Sequence, residues 1–567
     1  MTETTDKFPA RNGRVLWSGH ISLILFVCAT AASVAGCAIL GRLQYRHAIA
    51  LYVAAQYAMV LPALVWFLRS NRAASPRRLS VVDFRLAAAA ILGVLSVVVA
   101  MSYDHGHTIP DESAYQFQAR VFASGHVMAA PLPGSTVAAV NTPPEIYFEN
   151  QIDTTRGWFA KYTPGYPLLL SLGYLLHCPW LVNPVLGLLL LAGVSSVASL
   201  YGTAVRNTAV LLVAFSAYTL LYSVGYLSHA FSALVGLGAT GSAIHAVRRK
   251  SLVGVVVCYS LIIAGTEIRP YTGAVIAVLC TIYTCWGSLD APYFLRRAIG
   301  IAGAAAVISV ALFLAGNRVF TGNFLMSPYA YAQGAMRIRE LSLSFPLIFH
   351  NVLSEWRPAI VDTLFSTVPF VALAAGYACV RERQFRKEIL LLSAVFPALV
   401  VAYFFETMGG SASFDGERYY YEGFAILCVA AARGLSLLVS DWRIRNGAAV
   451  AALSVLLATQ VLPITWVIRD IESHLSPWRK AYQASIVPPA PRLVLLSGAT
   501  NEFTAKHANW NAADWQSEPT IFLNDPGPPR RREVACRFGA SAYRVVSYDS
   551  RQRRAVSHDF ASGCGGR

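Results

Sequence analysis

A carboxylate pair, Asp111-Glu112, stands just after one apolar run of this chain, and Lys161 stands just before the next. Between Asp104 and Pro167 lies the longest polar interruption in the first half of an otherwise apolar sequence. Ionisable side chains within a turn or two of hydrocarbon are costly to place, so they mark functional sites. Pro110 ahead of the pair, and apolar or aromatic residues at Ala114, Tyr115, Phe117, Val121 and Phe122, predict a helix that starts at the pair. Two readings of the carboxylates follow. They compensate the dipole at a helix N-terminus, or one is a general base that the other orients or assists in binding the acceptor. Asp104, His105 and His107 form a second polar cluster, but its spacing is weak for a metal and it reads as a solvated loop. No metal and no cofactor is expected.

The elements that hold this loop are apolar helices. The hydrophobic fraction is 55% and mean hydropathy is +0.49, which excludes a soluble globular protein. A membrane span needs roughly 20 apolar residues, and no alternating strand pattern repeats, so the spans are helical. About thirteen are predicted, near 15–40, 48–68, 86–103, 180–202, 208–227, 229–247, 252–268, 271–287, 297–316, 358–380, 388–405, 421–440 and 446–468. The run at 168–176 is too short to cross and reads as a juxtamembrane or re-entrant helix. Basic residues alternate between loops: Arg11 and Arg14, then Arg69 to Arg85, Arg206, Arg248-Arg249-Lys250, Arg296-Arg297, Arg381 to Lys387, and Arg443 with Arg445. That pattern places the N-terminus in the cytoplasm. It puts the loops at 104–166, 317–357 and 406–420, and the C-terminal tail, on the opposite face. The net charge of +16 is thus a topological signal and not a nucleic-acid footprint.

The tail differs in kind. VPPAPRLVLLSG reads as a linker into a buried strand, PTIFLND as a second strand, NDPGPPRRR as a turn and charged loop, and AYRVVSYD as a third strand. Cys536 and Cys564 lie in it and would pair in an oxidising compartment, whereas the other cysteines sit in or beside apolar runs. The expected architecture is an all-α polytopic membrane protein with a small extracytoplasmic α/β domain. Its parts are 1–85, two N-terminal helices with a basic loop; 86–468, the transmembrane core; and 470–567, the outer domain.

D-E-x-x-Y at Asp111–Tyr115 and K-Y-x-P-G-Y-P-L-L-L at Lys161–Leu170, with I-R-P-Y-T-G at 268–273 and G-E-R-Y-Y-Y-E at 416–422, together resemble the GT-C superfamily. Its members are polyprenyl-phosphate-sugar-dependent membrane glycosyltransferases, such as the protein O-mannosyltransferases and the lipid A aminoarabinose transferase. The resemblance implies that Asp111 takes the acceptor proton with Glu112 in support, and that Lys161 meets the phosphate of the lipid-linked donor. Arg269 and Arg418 are candidates for the same phosphate by charge and side. Arg269 also reads as half of an ion pair with Glu267, and Arg418 as a partner of Glu417. Tyr115, Tyr162, Tyr419 and Tyr420 are candidate substrate contacts; tyrosines 419–421 read equally as an interfacial aromatic belt. Arg337, Arg339, Glu340, Trp356 and Arg357 suggest a surface-lying segment.

The resulting expectation is a glycosyltransferase in a bacterial cytoplasmic membrane. It would move a sugar from a polyprenyl-phosphate donor to a lipid, glycan or protein acceptor on the outer face. No phosphate-binding GxxxxGK[ST] or strand-borne GxGxxG appears, in keeping with a donor already activated on lipid. A transporter or lipid-linked sugar flippase would instead carry charges at mid-span and broken helices there. A third class is a non-catalytic envelope protein whose tail recruits partners. The enzyme reading requires Asp111, Lys161 and an outer arginine to converge.

Overall fold

The computed structural model describes residues 21–33, 35, 45–73, 75, 78, 83–103, 106–133, 148, 150–332, 356–403, 418–498 and 509–564. Asp104, His105, Arg337, Arg339, Glu340 and Glu417 lie outside them, as do the side chains of Trp356 and Arg357. Among the described residues, four α-helices precede the polar loop: α1 (Ile21–Ser33), α2 (Tyr45–Ala55), which a π-helical turn (Gln56–Val60) joins to α3 (Leu61–Ser70), and α4 (Arg85–Met101). The loop itself folds into α5 (Pro110–Ala123) and a hairpin of β1 (Gln151–Thr154) and β2 (Gly157–Ala160), then enters α6 (Gly165–Leu175). Next come α7 (Val182–Ser199), α8 (Thr203–Ala214), α9 (Ala217–Tyr222), α10 (His229–Arg249), α11 (Leu252–Ile268), α12 (Pro270–Gly287), α13 (Pro292–Thr321) and α14 (Pro328–Ala332). The body closes with α15 (Trp356–Ser366), α16 (Val371–Arg381), α17 (Arg386–Tyr403), α18 (Tyr421–Asp441), α19 (Asn446–Ala458) and α20 (Val461–Ser485).

Seven stretches among the described residues are long and apolar enough to cross a membrane. Of α10 and α18, 67% and 72% of the apolar window is buried, against 11% for α13. The first two therefore form the centre of the bundle. α13 turns Val307, Val310 and Leu312 outward, as a helix solvated by lipid does. This is a multi-pass membrane protein.

Three predicted spans are interrupted. The stretch at 208–227 ends one helix at Ala214 and starts another at Ala217, 358–380 breaks between Ser366 and Val371, and 446–468 turns between Ala458 and Val461. Backbone groups freed at membrane depth must be satisfied by protein, and here the interruptions satisfy one another. Ser216 Oγ donates to the Ser366 carbonyl (2.8 Å), and Gln460 Nε2 donates to Thr367 O (2.9 Å) while its Oε1 accepts from Ala217 N (3.3 Å). Hydropathy cannot register such a mutual repair. The short run at 168–176 falls in the 11-residue α6, too short to span.

The basic loops meet at one end of the bundle. Arg248 Nε lies 2.7 Å from Glu388, Lys250 pairs with Asp290 at 2.7 Å, and Arg381 pairs with Asp441 at 2.9 Å. α10 and α18 start at the other end and finish here, and α17 starts here and finishes there.

The chain beyond the bundle begins as a continuation of α20, which runs unbroken to Ser485. The mixed sheet that follows has the order β4-β3-β5-β6, with β3 (Leu493–Ser497), β4 (Ile521–Asn524), β5 (Ala542–Asp549) and β6 (Arg554–Ala561). β3 pairs in parallel with β4 and β5, and β6 runs antiparallel to β5. The predicted charged loop at 524–532 is instead the start of a helix, α21 (Pro528–Arg537). Prolines are favoured in a first helical turn, and Arg531 pairs with Asp525 at 2.6 Å to fix the entry. The edge strand β6 was not expected, because its RAVSHDFA is exposed and polar and carries no burial pattern. Cys536 and Cys564 form a disulfide that ties α21 to the end of β6.

One face of the sheet packs on Trp478 and Ala481 of α20. The other packs on α21 and on Phe117, Val121 and Trp158 of the 104–166 loop. The tail thus rests on the back of α5.

Candidate active site

α5 is held on three sides. Tyr115 stacks on Tyr162 (ring centroids 4.5 Å apart) and meets Tyr166 edge-on. Gln118 accepts from Ala160 N and donates to Val127 O, both at 2.9 Å. Arg120 donates to the carbonyls of Asn509 (2.7 Å) and Asn511 (3.2 Å) in the tail. The N-terminus of α5 is left facing the bundle, and Asp111 projects from it.

Asp111 Oδ2 lies 3.1 Å from Arg418 Nη1, and Oδ1 accepts from Asn150 Nδ2 at 2.7 Å. Asn150 adopts φ 64°, a left-handed conformation that asparagine tolerates better than most residues. Its carbonyl accepts from Lys161 N (3.1 Å). The β1–β2 hairpin therefore delivers both Asn150 and Lys161 to one place. The Lys161 ammonium sits 4.6 Å from the ring centre of Tyr329 on α14 and 5.2 Å from that of Tyr162. Burial alone would raise the Asp111 carboxyl. Arg418, Lys161, a hydrogen bond from the Tyr162 hydroxyl and Arg269 more than offset it, so the group titrates below the usual carboxylate range. Burial and the Asp111 charge conversely push the Tyr162 hydroxyl well up.

Arg269 reaches the same place for a local reason. It precedes Pro270, which drives residue 269 out of the helical region, and its φ of −145° and ψ of 91° interrupt the line from α11 to α12. The segment after Lys161 docks on that interruption. Thr163 Oγ1 donates to Ile268 O (2.9 Å), and a Cβ on Gly165 would lie 2.6 Å from Glu267 O, so only glycine allows the approach. The P-G of one motif and the R-P of another are two halves of a single contact. Arg418 opens a short 3-10 turn into α18 and donates to Tyr419 Oη at 3.2 Å. The Tyr419 ring lies 5.1 Å from the Arg418 guanidinium carbon and 5.4 Å from that of Arg269, and stacks on Tyr403.

Asp111, Lys161, Tyr162, Arg269, Arg418 and Tyr419 thus converge, with Tyr115 behind Tyr162. Glu112 and Tyr420 do not join them. Glu112 accepts from Thr108 N (2.7 Å), Thr108 Oγ1 (2.9 Å) and Tyr226 N (2.9 Å), staples the first turn of α5 to the 225–226 loop, and is pushed upward by its burial. Gly225, at φ 68°, leaves room for that carboxylate. Tyr420 is turned into the core against Phe396 and Tyr403. His107, expected in a solvated loop, is buried and pairs with Gln116 at 2.8 Å. Glu267 is not the partner of Arg269; Glu422 is, at 2.9 Å, and His229 lies 3.0 Å from that same carboxylate. Glu422 closes the G-E-R-Y-Y-Y-E segment but was given no role, and His229 was not singled out, although each opens an apolar helix, where an ionisable group is unusual. No cluster of His, Cys, Asp and Glu able to hold a metal occurs among the described residues.

No protein-family model matches the chain, and no curated protein sequence does. Solved structures do. ArnT from Cupriavidus metallidurans bound to undecaprenyl phosphate aligns over 84% of this chain and 99% of its own, at TM-score 0.50 and 13% identity. The Archaeoglobus fulgidus oligosaccharyltransferase in the apo form aligns over 81% and 69%, at TM-score 0.45 and 12% identity. The arabinosyltransferase EmbB from Mycobacterium smegmatis aligns over 80% and 49%, at TM-score 0.40 and 12% identity. The alignment takes in nearly the whole of ArnT, and this chain shares its fold.

Proposed function

We propose that this protein is a glycosyltransferase that moves a sugar from a polyprenyl-phosphate donor to an acceptor hydroxyl, with Asp111 as general base. The observation that carries the proposal is the convergence of one ionised carboxylate with three cations, Lys161, Arg269 and Arg418, at one end of a membrane bundle. The solved ArnT structure holds undecaprenyl phosphate, which supports a lipid phosphate as the partner here.

The chemistry suits that inventory. A phosphate diester that leaves as a monoester departs as a stable anion with a second pKa near 6, so no acid need protonate it. The cations hold the phosphate and meet the charge that grows on it as the bond to the sugar breaks. Asp111 takes the proton of the acceptor hydroxyl as its oxygen attacks the sugar carbon. A single base favours direct displacement and inversion. In the described state Arg418 occupies one Asp111 oxygen and Asn150 the other. A donor phosphate would compete for Arg418, free Oδ2 for the acceptor, and raise the basicity of Asp111 by neutralising the cations around it. Glu112 and the tail serve this step by holding α5.

The proposed membrane face is the extracytoplasmic side of a bacterial cytoplasmic membrane. Short basic loops favour the cytoplasm, and the disulfide at the tail suits an oxidising compartment. Both arguments support that side for the site. The test is sugar transfer from a panel of synthetic polyprenyl-phosphate sugars by purified protein. Asp111→Asn should lose about 10²–10⁴-fold in turnover while still folding, with a lowered thermal stability because its ion pair with Arg418 is gone. A folded Asp111→Asn protein that transfers sugar at the wild-type rate would remove the base assignment.

A further inference from the structure

A carboxylate with no exposed surface opens α18: Glu422, whose Oε1 lies 2.9 Å from Arg269 Nε and 3.0 Å from His229 Nδ1. His229 Nε2 in turn faces Arg269 Nη1 at 3.4 Å, so the three side chains close a ring. The ring fixes the imidazole tautomer. A guanidinium nitrogen is only a donor, so Nε2 accepts from Arg269, the imidazole proton is on Nδ1, and that N–H donates to Glu422. Burying a charge pair in a helical bundle is expensive, and well-packed apolar residues would do as well for stability. The other end of the bundle shows the ordinary solution, ion pairs with one or both partners partly exposed.

We infer that Glu422 and His229 are positioning residues that set the Arg269 guanidinium for the donor phosphate. The inference rests on the proposed phosphate role of Arg269. Its Nε faces Glu422, Nη1 faces His229 and Nη2 donates to Tyr403 Oη at 3.2 Å. A guanidinium has five N–H groups, so among the described residues one N–H on each terminal nitrogen is left for a ligand. Two such donors suit the oxygens of a phosphate. Glu422 meets Arg269 through Oε1 alone, as an ion pair without hydrogen-bond geometry, and Oε2 has no hydrogen-bond partner among the described residues. A one-point anchor keeps the counter-ion in place while the guanidinium turns toward an incoming anion. The Arg269 charge is thereby matched without Asp111, which stays with Arg418.

The test is equilibrium binding of undecaprenyl phosphate to purified protein in nanodiscs, for wild type, Glu422→Gln, Arg269→Gln and the double variant. The expected result is about tenfold weaker binding for each single variant, with the double no weaker than Arg269→Gln within about twofold, because contacts in one network do not add. Glu422→Asp should restore most of the loss, and in transfer assays Glu422→Gln should raise the donor KM more than it lowers kcat. Wild-type binding by Glu422→Gln, or multiplying effects in the double variant, would overturn the positioning role while leaving the phosphate site intact. Wild-type binding by Arg269→Gln would overturn both. If Glu422→Gln fails to fold, ¹⁵N-histidine NMR of the wild type, assigned with His229→Gln, decides. A neutral, Nδ1-protonated His229 whose signal shifts on adding undecaprenyl phosphate is the required outcome; an Nε2-protonated or doubly protonated ring, or no shift, rejects it.

Discussion

The two ends of the bundle use arginine differently. At the basic end, Arg248, Arg381 and Arg433 each have a carboxylate of their own, Glu388, Asp441 and Glu382. Their charges are balanced within the fold. At the other end, among the described residues, Lys161, Arg269 and Arg418 gather round Asp111, and Glu422 pairs with Arg269. Tyr162, Tyr329 and Tyr419 line that place. Ion pairs alone single out neither end. Several cations gathered round one carboxylate where water is scarce suit an anionic ligand, because charges of opposite sign attract more strongly there.

That contrast can be broken most sharply at Arg418. Arg418→Gln should lower donor kcat/KM by about 10²-fold or more, since an interaction with a charge that develops in the transition state is worth about 3–4 kcal/mol in a shielded site. Steady-state kinetics with a polyprenyl-phosphate sugar measures it, and a loss under threefold would place Arg418 with the structural arginines. The pH profile sharpens the comparison next. The native pKa of Asp111 lies below its unfolded value, so its pairing stabilises the fold above the ordinary carboxylate range, near 3.9. That contribution fades only as pH falls through the lowered native value. The acid limb of kcat/KM, which reports the free enzyme, should therefore lie below the ordinary carboxylate range, while the limb of kcat should lie higher, once donor phosphate has neutralised the cations. Coincident limbs would show that donor and base are not coupled. The smallest effect on activity is expected at the balanced end. Arg248→Gln should cost about 1–3 kcal/mol of stability by stranding Glu388, with transfer activity of the folded protein within about twofold of wild type.

The chain's own pattern carried the helical body, the side on which basic loops gather, and the residues that meet at the site. Those residues were legible because each stands at a rule-bound position: Asp111 after a proline that starts a helix, Arg269 before a proline that forbids one, and Lys161 ahead of a P-G turn. The broken helices were not legible, because Ser216, Thr367 and Gln460 repair one another across more than 90 residues of sequence. The edge strand β6 escaped notice because it buries little. Glu112 looked like a partner of Asp111 by adjacency, yet a helix turns successive side chains about 100° apart, and Glu112 serves Thr108 and Tyr226.

Local sequence thus determined most of the helical body and which residue types reach the polar end, because those depend on hydropathy, proline and charge within a few positions. Which charge pairs with which was decided by tertiary structure alone. Glu422 meets Arg269 and His229 from helices far apart in the chain, and Asp111 meets Arg418 across 307 positions (418 − 111). Coulomb energy depends on separation in space and on the surrounding dielectric, and neither is written in the order of residues.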